Sequence, residues 1–305
     1  MSTYFGTLRG GAELMYNELE KRINKKYLRN FSLFNYVEKA NFNKKTIYWT
    51  PHTTDQQSVN FFNDLGYLKR INHFVFVSYW QAEQYKKAFD IPEEKINVIK
   101  NACAGVDPKL ERNNNKIKVC YTSTPWRGLN VLLDAWEILK PKNAELHIFS
   151  GTKVYSKEFY QAHDKTYKHL YDKCKRLPNV IYRDNIPNDE LRKELPSFDM
   201  LAYPSTWEET SCISVIEAIS AGLRVVCSSL GALPETTEGW AYMYPSIKEP
   251  KLHAKKFASI LEQEIEAVRE GIYNDQSKLQ SEVYAPAWHW DERVYDWENF
   301  FESIS

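Results

Sequence analysis

The chain has 305 residues, of which 43% are hydrophobic and 14% aromatic, so it can bury sizeable cores and is not a disordered polypeptide. Its length exceeds the about 250–300 residues at which a single core usually stops growing, which predicts two domains. Lysine plus arginine and aspartate plus glutamate both number 40, and this balance argues against a general nucleic-acid binder, which would carry a basic excess.

No stretch approaches the about 18–20 apolar residues of a membrane span, and the first residues lack the apolar core of a signal peptide. The five cysteines include no C-x-x-C pair, so neither a disulfide framework nor a zinc site is indicated. These features predict a cytoplasmic protein with at most peripheral membrane contact. The cationic run over 21–29 could meet an anionic membrane surface or acceptor, but a solvated helix end is the simpler interpretation.

Predicted strands and helices alternate along the chain, which indicates parallel sheets. In the first third, helices are predicted near 12–24, 55–64 and 80–88. The predicted strands of this third are 31–34, 46–49, 74–78 and 97–100. The polar stretch 109–115 contains turn-forming residues and little to bury, so it is the predicted linker between domains.

A second series of strands and helices begins at Ile117. A long charged helix is predicted near 251–270, and the aromatic segment 288–301 is predicted to be a C-terminal helix packed by its aromatic side. The predicted strands of this series are 117–122, 146–149, 180–182, 200–203, 224–227 and 241–243. Ligands of parallel sheets lie outside the carboxyl ends of the strands, so a binding cleft is expected between the two halves.

The segment 203–222 carries the richest pattern, a strand followed by a loop and a helix. Thr210 and Ser211 are expected at the helix start, where free N–H groups and the helix dipole favour an anion. Glu209 precedes that point and Glu217 lies two turns further on, so a phosphate there would lie between two carboxylates that accept hydrogen bonds from hydroxyl groups. A nucleotide sugar has this order of groups, with a diphosphate between ribose and sugar hydroxyls.

A structural alternative exists for the same residues. Residues 214–217 fit the S-x-x-E capping box, and the glutamates at 208 and 209 could simply complement a helix dipole. The apolar stripe of the predicted helix begins at Cys212, before Ser214, which argues against the capping box.

Arg127 and Gly128 follow a strand and a loop of small residues, and they open the next predicted helix. Arginine is a permanent cation with a fork of donors that suits a diphosphate, and glycine would allow close approach of the backbone. The alternative is an ordinary strand-to-helix turn with a solvated arginine.

Two further features are weaker when taken alone. The Gly10-Gly11 pair before a predicted helix is a candidate phosphate cradle, and His52 at the end of a strand could face the cleft, although lone histidines are more often structural. The absence of G-x-G-x-x-G, of a P-loop and of G-x-S-x-G argues against an oxidoreductase, a P-loop NTPase and a hydrolase. No D-x-D occurs, so no metal or other cofactor is predicted.

Glu209 and Glu217, followed by A-I-S-A-G-L-R-V-V, resemble the E-x7-E motif of retaining GT-B glycosyltransferases of glycosyltransferase family 4. Other pieces occur in the family's order, and the resemblance is most specific over 117–240. They are an early Gly-Gly loop, a histidine after a strand, I-K-N at 99–101, R-G-L at 127–129, V-I-Y-R-D-N-I at 180–186, Y-P-S at 203–205 and a closing Trp-rich helix.

The resemblance implies an α/β fold of the GT-B type, in which two Rossmann-like domains with parallel sheets face each other across a cleft. It implies a shortened acceptor-side domain over 1–108 and a nucleotide-sugar-binding domain over 109–287. The helix of 288–305 is expected to cross back to the first domain.

The resemblance also implies roles for individual residues. Arg127, Glu209 and His52 are the expected catalytic residues: Arg127 binds the diphosphate, Glu209 holds the sugar hydroxyls and His52 lies near the sugar. Glu217 is expected to bind the ribose. The other expected donor-binding residues are Gly11 under the phosphates, Thr122 and Ser123 in the phosphate loop where the family has a basic residue, Asn185 and Ile186 at the nucleobase edge, and Thr210, Ser211, Cys212 and Ile213 around the phosphate and sugar.

These implications predict a metal-independent retaining glycosyltransferase. The donor is a nucleotide diphosphate sugar, with UDP sugars favoured and GDP-mannose as a second candidate, and the acceptor is a hydroxyl of a glycan, glycoprotein or lipid-linked molecule. Three alternatives stay open: a GT-B epimerase or sugar phosphorylase, a non-catalytic nucleotide-sugar-binding protein, and an interaction scaffold in which the two glutamates are surface charges. The phosphorylase would need a pyridoxal-binding lysine, and no clear candidate stands out.

Overall fold

The computed structural model describes residues 10–108 and 116–305. Over these ranges the strands form two parallel sheets, one of four strands and one of six. The predicted linker over 109–115 lies outside the described residues. Two α/β domains with parallel sheets are therefore present, as the alternation of strands and helices predicts.

The first domain has the strand order β1-β2-β3-β4, and every adjacent pair is parallel. The segment predicted as a helix near 55–64 instead forms 3-10 turns over Gln57–Asn63. Each predicted strand is present to within two residues at either end. The strands are β1 (Phe31–Phe34), β2 (Lys45–Thr50), β3 (His73–Phe76) and β4 (Ile96–Val98), and the helices are α1 (Gly11–Arg22), α2 (Lys25–Asn30), α3 (Leu65–Arg70) and α4 (Tyr79–Ala88).

The second domain has the strand order β10-β9-β8-β5-β6-β7. Its strands again match the predictions to within two residues. They are β5 (Ile117–Tyr121), β6 (Ala144–Ile148), β7 (Val180–Tyr182), β8 (Met200–Tyr203), β9 (Arg224–Ser228) and β10 (Ala241–Tyr244). The helices are α5 (Leu129–Leu139), α6 (Lys157–His163), α7 (Lys168–Arg176), α8 (Asn188–Glu194), α9 (Ile213–Ser220), α10 (Leu233–Thr237), α11 (Pro250–Arg269), α12 (Asn274–Leu279) and α13 (Ala285–Ala287).

Burial on both faces explains why these strands read as continuous apolar runs. Every residue of β8 and of β9 is buried, as expected for central parallel strands covered by helices on both sides. Helix α5 buries the face that carries Leu129, Leu132 and Trp136, which is the face that the sequence periodicity predicts. The carboxyl ends of the six strands are thereby fixed relative to one another.

The last helix, α14 (Trp290–Ser303), packs its aromatic side against the first domain, as predicted. Trp297 meets Trp49 of β2 in an edge-on contact with ring centroids 4.9 Å apart. Just before this helix, the N–H of Cys103 donates a hydrogen bond to the carbonyl oxygen of Trp288 at 2.9 Å. The segment after β4 and the segment before α14 therefore lie side by side.

The cationic run over 21–29 spans the end of α1 and most of α2. Glu18 pairs with Lys21 at 2.6 Å and with Arg22 at 2.5 Å, so part of this charge is already neutralised within α1. In the part of the chain that the structure describes, no helix combines the length and the apolar character that crossing a bilayer requires.

Candidate active site

A cavity of about 340 Å³ lies between the two domains at the carboxyl ends of both sheets. Its wall includes Tyr36 after β1, His52 after β2, Thr122 after β5, Asn185 after β7 and Glu209 after β8. The cavity thus occupies the position where ligands of parallel sheets bind. It brings together every residue for which the sequence predicts a catalytic or donor-binding role: Gly11, His52, Thr122, Ser123, Arg127, Asn185, Ile186, Glu209, Thr210, Ser211, Cys212, Ile213 and Glu217.

Arg127 and Glu209 form an ion pair in the wall of this cavity. Nη1 of Arg127 donates to Oε1 of Glu209 at 2.5 Å and also to Oε2. Burial lowers the pKa of Arg127, but the adjacent Glu209 carboxylate raises it, and the net shift is upward. The alternative interpretation, a freely solvated arginine, therefore does not hold, because an acid of the neighbouring loop holds Arg127 in place.

Tyr203, the last residue of β8, adds a second donor to this pair. Its hydroxyl donates to Oε1 of Glu209 and lies 3.4 Å from the hydroxyl of Ser123. Burial raises the pKa of Tyr203 well above its ordinary value, so the phenol remains a donor. Tyr203 belongs to the Y-P-S motif, but its sequence context predicts no role in the site, because a tyrosine that ends a buried strand is typical of the core.

Helix α9 begins at Ile213, with Cys212 as its N-cap residue, so Thr210 and Ser211 lie before the helix and not at its first turn as predicted. Gly231, which has a positive φ of 63°, packs tightly against the loop before α9. A Cβ on Gly231 would lie 2.5 Å from the backbone nitrogen of Glu209. The N–H groups of Val215 and Ile216 donate to the carbonyl oxygen of Cys212 at 3.1 and 3.0 Å, and those of Ile213 and Ser214 precede these first bonds of the helix.

The hydroxyls of this loop have distinct environments. The Ser211 hydroxyl is buried and has no hydrogen-bond partner among the described residues. Ser214 is not a capping residue, because it lies inside α9 and its hydroxyl donates to the carbonyl oxygen of Thr122 at 2.7 Å. The capping-box interpretation of 214–217 is therefore wrong. Thr210 donates to the carbonyl oxygen of Pro51 at 2.8 Å, which joins the two domains beside the cavity.

Glu217 lies in the middle of α9 and is almost completely buried, although it lines the cavity. Burial raises the pKa of its carboxyl to about 7, and Arg192 opposes this shift. Nη1 of Arg192 lies 3.5 Å from Oε1 of Glu217. A glutamate of this kind is not a mere surface charge, which removes one premise of the scaffold interpretation.

His52 follows β2 and is held from several sides. Its Nδ1 lies 3.2 Å from the hydroxyl of Thr50, and its ring centroid lies 5.6 Å from that of Tyr36. Its carbonyl oxygen accepts a hydrogen bond from Nε2 of Gln81 at 2.7 Å. Burial lowers the pKa of the imidazole to about 4, so His52 is neutral at physiological pH.

The glycines near the site serve the packing of the chain itself. A Cβ on Gly11, the first residue of α1, would lie 3.1 Å from Cδ1 of Ile213, so this glycine lets the two domains approach. Gly128 has φ 104°, and a Cβ there would lie 2.1 Å from the carbonyl oxygen of Pro204. The close backbone approach that Gly128 allows is therefore to the neighbouring loop that contains Pro204. Arg127 ends the 3-10 turn Pro125–Arg127, and α5 begins only at Leu129.

The far end of the cavity is formed by the loop after β7. Oδ1 of Asn185 accepts a hydrogen bond from the N–H of Lys153 at 3.2 Å, and a Cβ on Gly151 would lie 2.5 Å from that same oxygen. Several further residues line the cavity without a role assigned from sequence, since nothing in their local pattern distinguishes them: Tyr36, Gln56, Tyr155, Asn188 and Leu191. Among the described residues no cluster of three or more His, Cys, Asp or Glu side chains could hold a metal ion.

A family model described as glycosyl transferases group 1 matches residues 106–277 of the chain. The chain is similar in structure to a glycosyltransferase from Rickettsia africae, with 14% sequence identity, a TM-score of 0.71, and 97% of this chain and 82% of that one covered. It is similar to HepE from Anabaena, solved in complex with UDP-glucose, with 16% identity, a TM-score of 0.63, and 86% and 73% covered.

The chain is also similar to sucrose-phosphate synthase from Thermosynechococcus elongatus, with 13% identity, a TM-score of 0.66, and 96% and 78% covered. No curated protein sequence matches the chain. Two parallel-sheet domains that face a shared cavity, together with these neighbours, define a GT-B fold. The chain belongs to the glycosyl transferases group 1 family, because the family model matches more than half of its length, and it is a glycosyltransferase.

Proposed function

We propose that the protein is a retaining glycosyltransferase of family 4, with Glu209 and Glu217 as its E-x7-E pair. It transfers a sugar from a nucleotide diphosphate sugar to a hydroxyl of a glycan, glycoprotein or lipid-linked acceptor. UDP sugars are the favoured donors, which accords with the UDP-glucose bound to the similar HepE structure, and GDP-mannose is the second candidate. One observation carries the proposal: a single cavity is lined by Arg127, by the start of α9 and by both acids.

The donor's diphosphate is proposed to lie against the start of α9. The N–H groups of Ile213 and Ser214, which precede the first hydrogen bonds of the helix, and the positive end of the helix dipole attract an anion. The buried hydroxyl of Ser211, which has no partner among the described residues, supplies a further donor at this place. The fork of Arg127 reaches the same phosphates from the opposite loop.

The nucleoside end and the sugar end of the donor are proposed to contact different walls of the cavity. Glu217 accepts hydrogen bonds from the ribose hydroxyls, and the base lies toward Asn185 and Ile186. Glu209 and His52 lie on the sugar side, with Thr122 and Ser123 beside the phosphates. His52 is neutral, so it exchanges hydrogen bonds with sugar hydroxyls and contributes no charge.

Transfer requires stabilisation of the leaving group. As the bond between the sugar's anomeric carbon and the diphosphate breaks, negative charge grows on the phosphate, and Arg127 and the N–H groups near α9 stabilise it. The acceptor oxygen forms the new bond on the same face of the sugar, and its proton passes to the leaving phosphate oxygen. The acceptor is proposed to enter along the first-domain wall beside Tyr36 and Gln56, which line the cavity.

Positive charge at the diphosphate is proposed to come from the protein, without a metal ion. Arg127 and the α9 dipole supply it, in agreement with the absence of D-x-D from the sequence. Turnover is therefore expected to persist in excess EDTA. The reaction is proposed to occur in the cytoplasm, in keeping with the free, buried state of all five cysteines.

A panel of nucleotide sugars tests the proposal. One donor should raise the melting temperature by mass action, and the same donor should yield a product whose anomeric configuration, read by NMR, is that of the donor. Glu217→Ala should weaken binding of the free nucleotide. Stabilisation by a donor without hydrolysis or transfer would indicate a binding protein, inversion would refute the retaining mechanism, and no response to any donor would refute the proposal.

A further inference from the structure

The ion pair between Arg192 and Glu217 has a geometry that bears on how the nucleotide is recognised. Arg192 on α8 lies behind Glu217, outside the set of residues that line the cavity, with Nη1 3.5 Å from Oε1. The exposed fractions of the two side chains are 16% and 4%. The arginine therefore touches the acid and not the ligand space.

We propose that Arg192 is a positioning residue that keeps the Glu217 carboxylate ionised and turned toward the ribose hydroxyls of the donor. The proposal rests on the assignment of Glu217 to the ribose in the proposed function. The ion pair between Arg192 and Glu217 does not itself depend on that assignment.

The chemistry of a diol explains why the ionisation state matters. An ionised carboxylate accepts hydrogen bonds at both oxygens, so it can receive both hydroxyls of a ribose. A protonated carboxyl must place its own proton as a donor and loses acceptor capacity. Glu217 is poised between these forms, because burial, opposed by the charge and hydrogen bond of Arg192, raises its pKa to about 7.

The other titratable group near Glu217 cannot replace the arginine. Cys103, from the segment after β4, interacts with Glu217 electrostatically, and its thiol lies 3.5 Å from the hydroxyl of Ser220. Burial raises the pKa of this thiol to about 11, so it stays neutral through the range in which Glu217 titrates. Among the described residues, Arg192 therefore supplies the positive charge that faces the acid.

The arginine is itself fixed in place by α8. Leu191, next to it, and Leu195, at the end of the helix, are buried in the core of the second domain. Lys193, also adjacent, is exposed. The chain thus offers two cationic neighbours on one short helix, of which only one faces the acid.

The test compares UDP with 2′,3′-dideoxy-UDP, which lacks both ribose hydroxyls, by titration calorimetry between pH 6 and 9. The ratio of the two dissociation constants isolates the diol, because titration of the phosphates affects both ligands alike. In the wild type this preference for UDP should rise with pH and be half-developed near pH 7, where burial and Arg192 together place the pKa of Glu217. In Arg192→Met the midpoint should move up by about 1 pH unit or more, so that at pH 7 the preference falls about 5- to 15-fold and recovers toward pH 9.

Three further variants complete the series. Arg192→Lys keeps the charge and should stay near the wild type, and it serves as the folded reference if the methionine variant is unstable. Glu217→Gln should give a small preference that does not change with pH. Lys193→Met, the matched control, should reproduce the wild-type curve.

The outcomes separate the two proposals. If the wild type binds UDP with a pH-dependent preference and Arg192→Met leaves the curve in place, the positioning role is wrong while the ribose assignment stands. If the wild type shows no preference for UDP over its dideoxy analogue at any pH, both the ribose assignment and the role of Arg192 fail. If the wild type binds neither UDP, GDP nor ADP, the proposed function fails and this inference fails with it.

Discussion

Arg127 donates hydrogen bonds to both carboxylate oxygens of Glu209, at 2.5 Å to Oε1, and the acid is by far the more deeply buried partner. The exposed fractions of the two side chains are 26% for the arginine and 3% for the glutamate. Since Tyr203 also donates to Oε1, much of the acceptor capacity of Glu209 is used inside the protein. The glutamate therefore orients the arginine, and of the two residues, which both line the cavity, the arginine has the larger exposed fraction.

Removal of Arg127 is expected to damage both turnover and stability. Arg127→Met should lower kcat about 100-fold or more, because the leaving diphosphate loses its side-chain cation. It should also lower the free energy of unfolding by about 3–5 kcal/mol, because Glu209 becomes a buried charge without a cationic partner and keeps only the hydrogen bond from Tyr203. Steady-state kinetics and urea unfolding measure the two effects.

The double variant Arg127→Met with Glu209→Gln separates these effects. It removes both charges, so most of the stability should return while turnover stays low. Wild-type turnover in a stable double variant would remove the pair from the mechanism.

The buried imidazole of His52 predicts that the free energy of unfolding decreases as the pH is lowered. Burial lowers its folded-state pKa to about 4, whereas the unfolded chain titrates near about 6.5. Between these values the unfolded state binds a proton that the folded state does not, so the free energy of unfolding falls as pH drops from about 6.5 to about 4. The loss from this residue is at most about 3 kcal/mol.

The variant His52→Asn lacks the titrating group and keeps a polar side chain. Urea unfolding of both proteins at pH 7, 6 and 5 should show a steeper loss of stability in the wild type. Parallel curves would mean that the imidazole is not held in its neutral form.

Two glycines with positive φ allow the cost of the left-handed backbone conformation to be measured separately from the cost of a steric clash. Gly128 has φ 104° and Gly239 has φ 86°, but only at Gly128 would a Cβ meet backbone, 2.1 Å from the oxygen of Pro204. Gly239→Ala should therefore cost about 1–2 kcal/mol, the penalty of the left-handed conformation alone. Gly128→Ala should cost clearly more and displace the loop that carries Glu209, so it should lower kcat as well. Equal losses of stability, measured by urea unfolding, would contradict the close approach.

The packing of α14 on the first domain predicts a large effect of one tryptophan. Trp297 is fully buried against Trp49 and Phe301, so Trp297→Ala should lower the free energy of unfolding by about 3–5 kcal/mol. Tyr295, on the same helix, is 64% exposed, and Tyr295→Ala should change it by less than about 0.5 kcal/mol. Thermal and urea unfolding measure both variants, and a small effect at Trp297 would mean that α14 is not anchored there.

The order of strands and helices follows closely from the sequence, because buried parallel strands such as β8 and β9 are continuous apolar runs with clear ends. The segment Gln57–Asn63 forms 3-10 turns where the sequence predicts a helix, since Val59 and Phe62 are three residues apart, as on a helical face, while the local hydrogen bonds do not show in the pattern. Helix α9 begins two residues later than predicted, because Thr210 and Ser211 are typical capping residues, whereas the preceding Glu209 forms a β-bridge with Gly231.

The members of the candidate site could be predicted because they follow strand ends, where parallel sheets gather their loops. Their partnerships could not. Arg127 and Glu209 are 82 positions apart, and nothing local to either residue signals that they pair. Arg192 went unnoticed because a basic residue on a polar helix is typical of a solvated face. The burial that makes its contact with Glu217 important exists only in the folded chain.

The hydrogen bond between the N–H of Cys103 and the carbonyl oxygen of Trp288 has a mechanical consequence. Two stretches of chain, paired side by side, connect the halves of the molecule at this place, and Cys103 also forms a bridge with His289. A bend about the line along which the two stretches lie would keep the hydrogen bond between Cys103 and Trp288 intact, while a twist of one domain against the other would break it. Any opening of the cavity that preserves this bond is therefore a bend about that line.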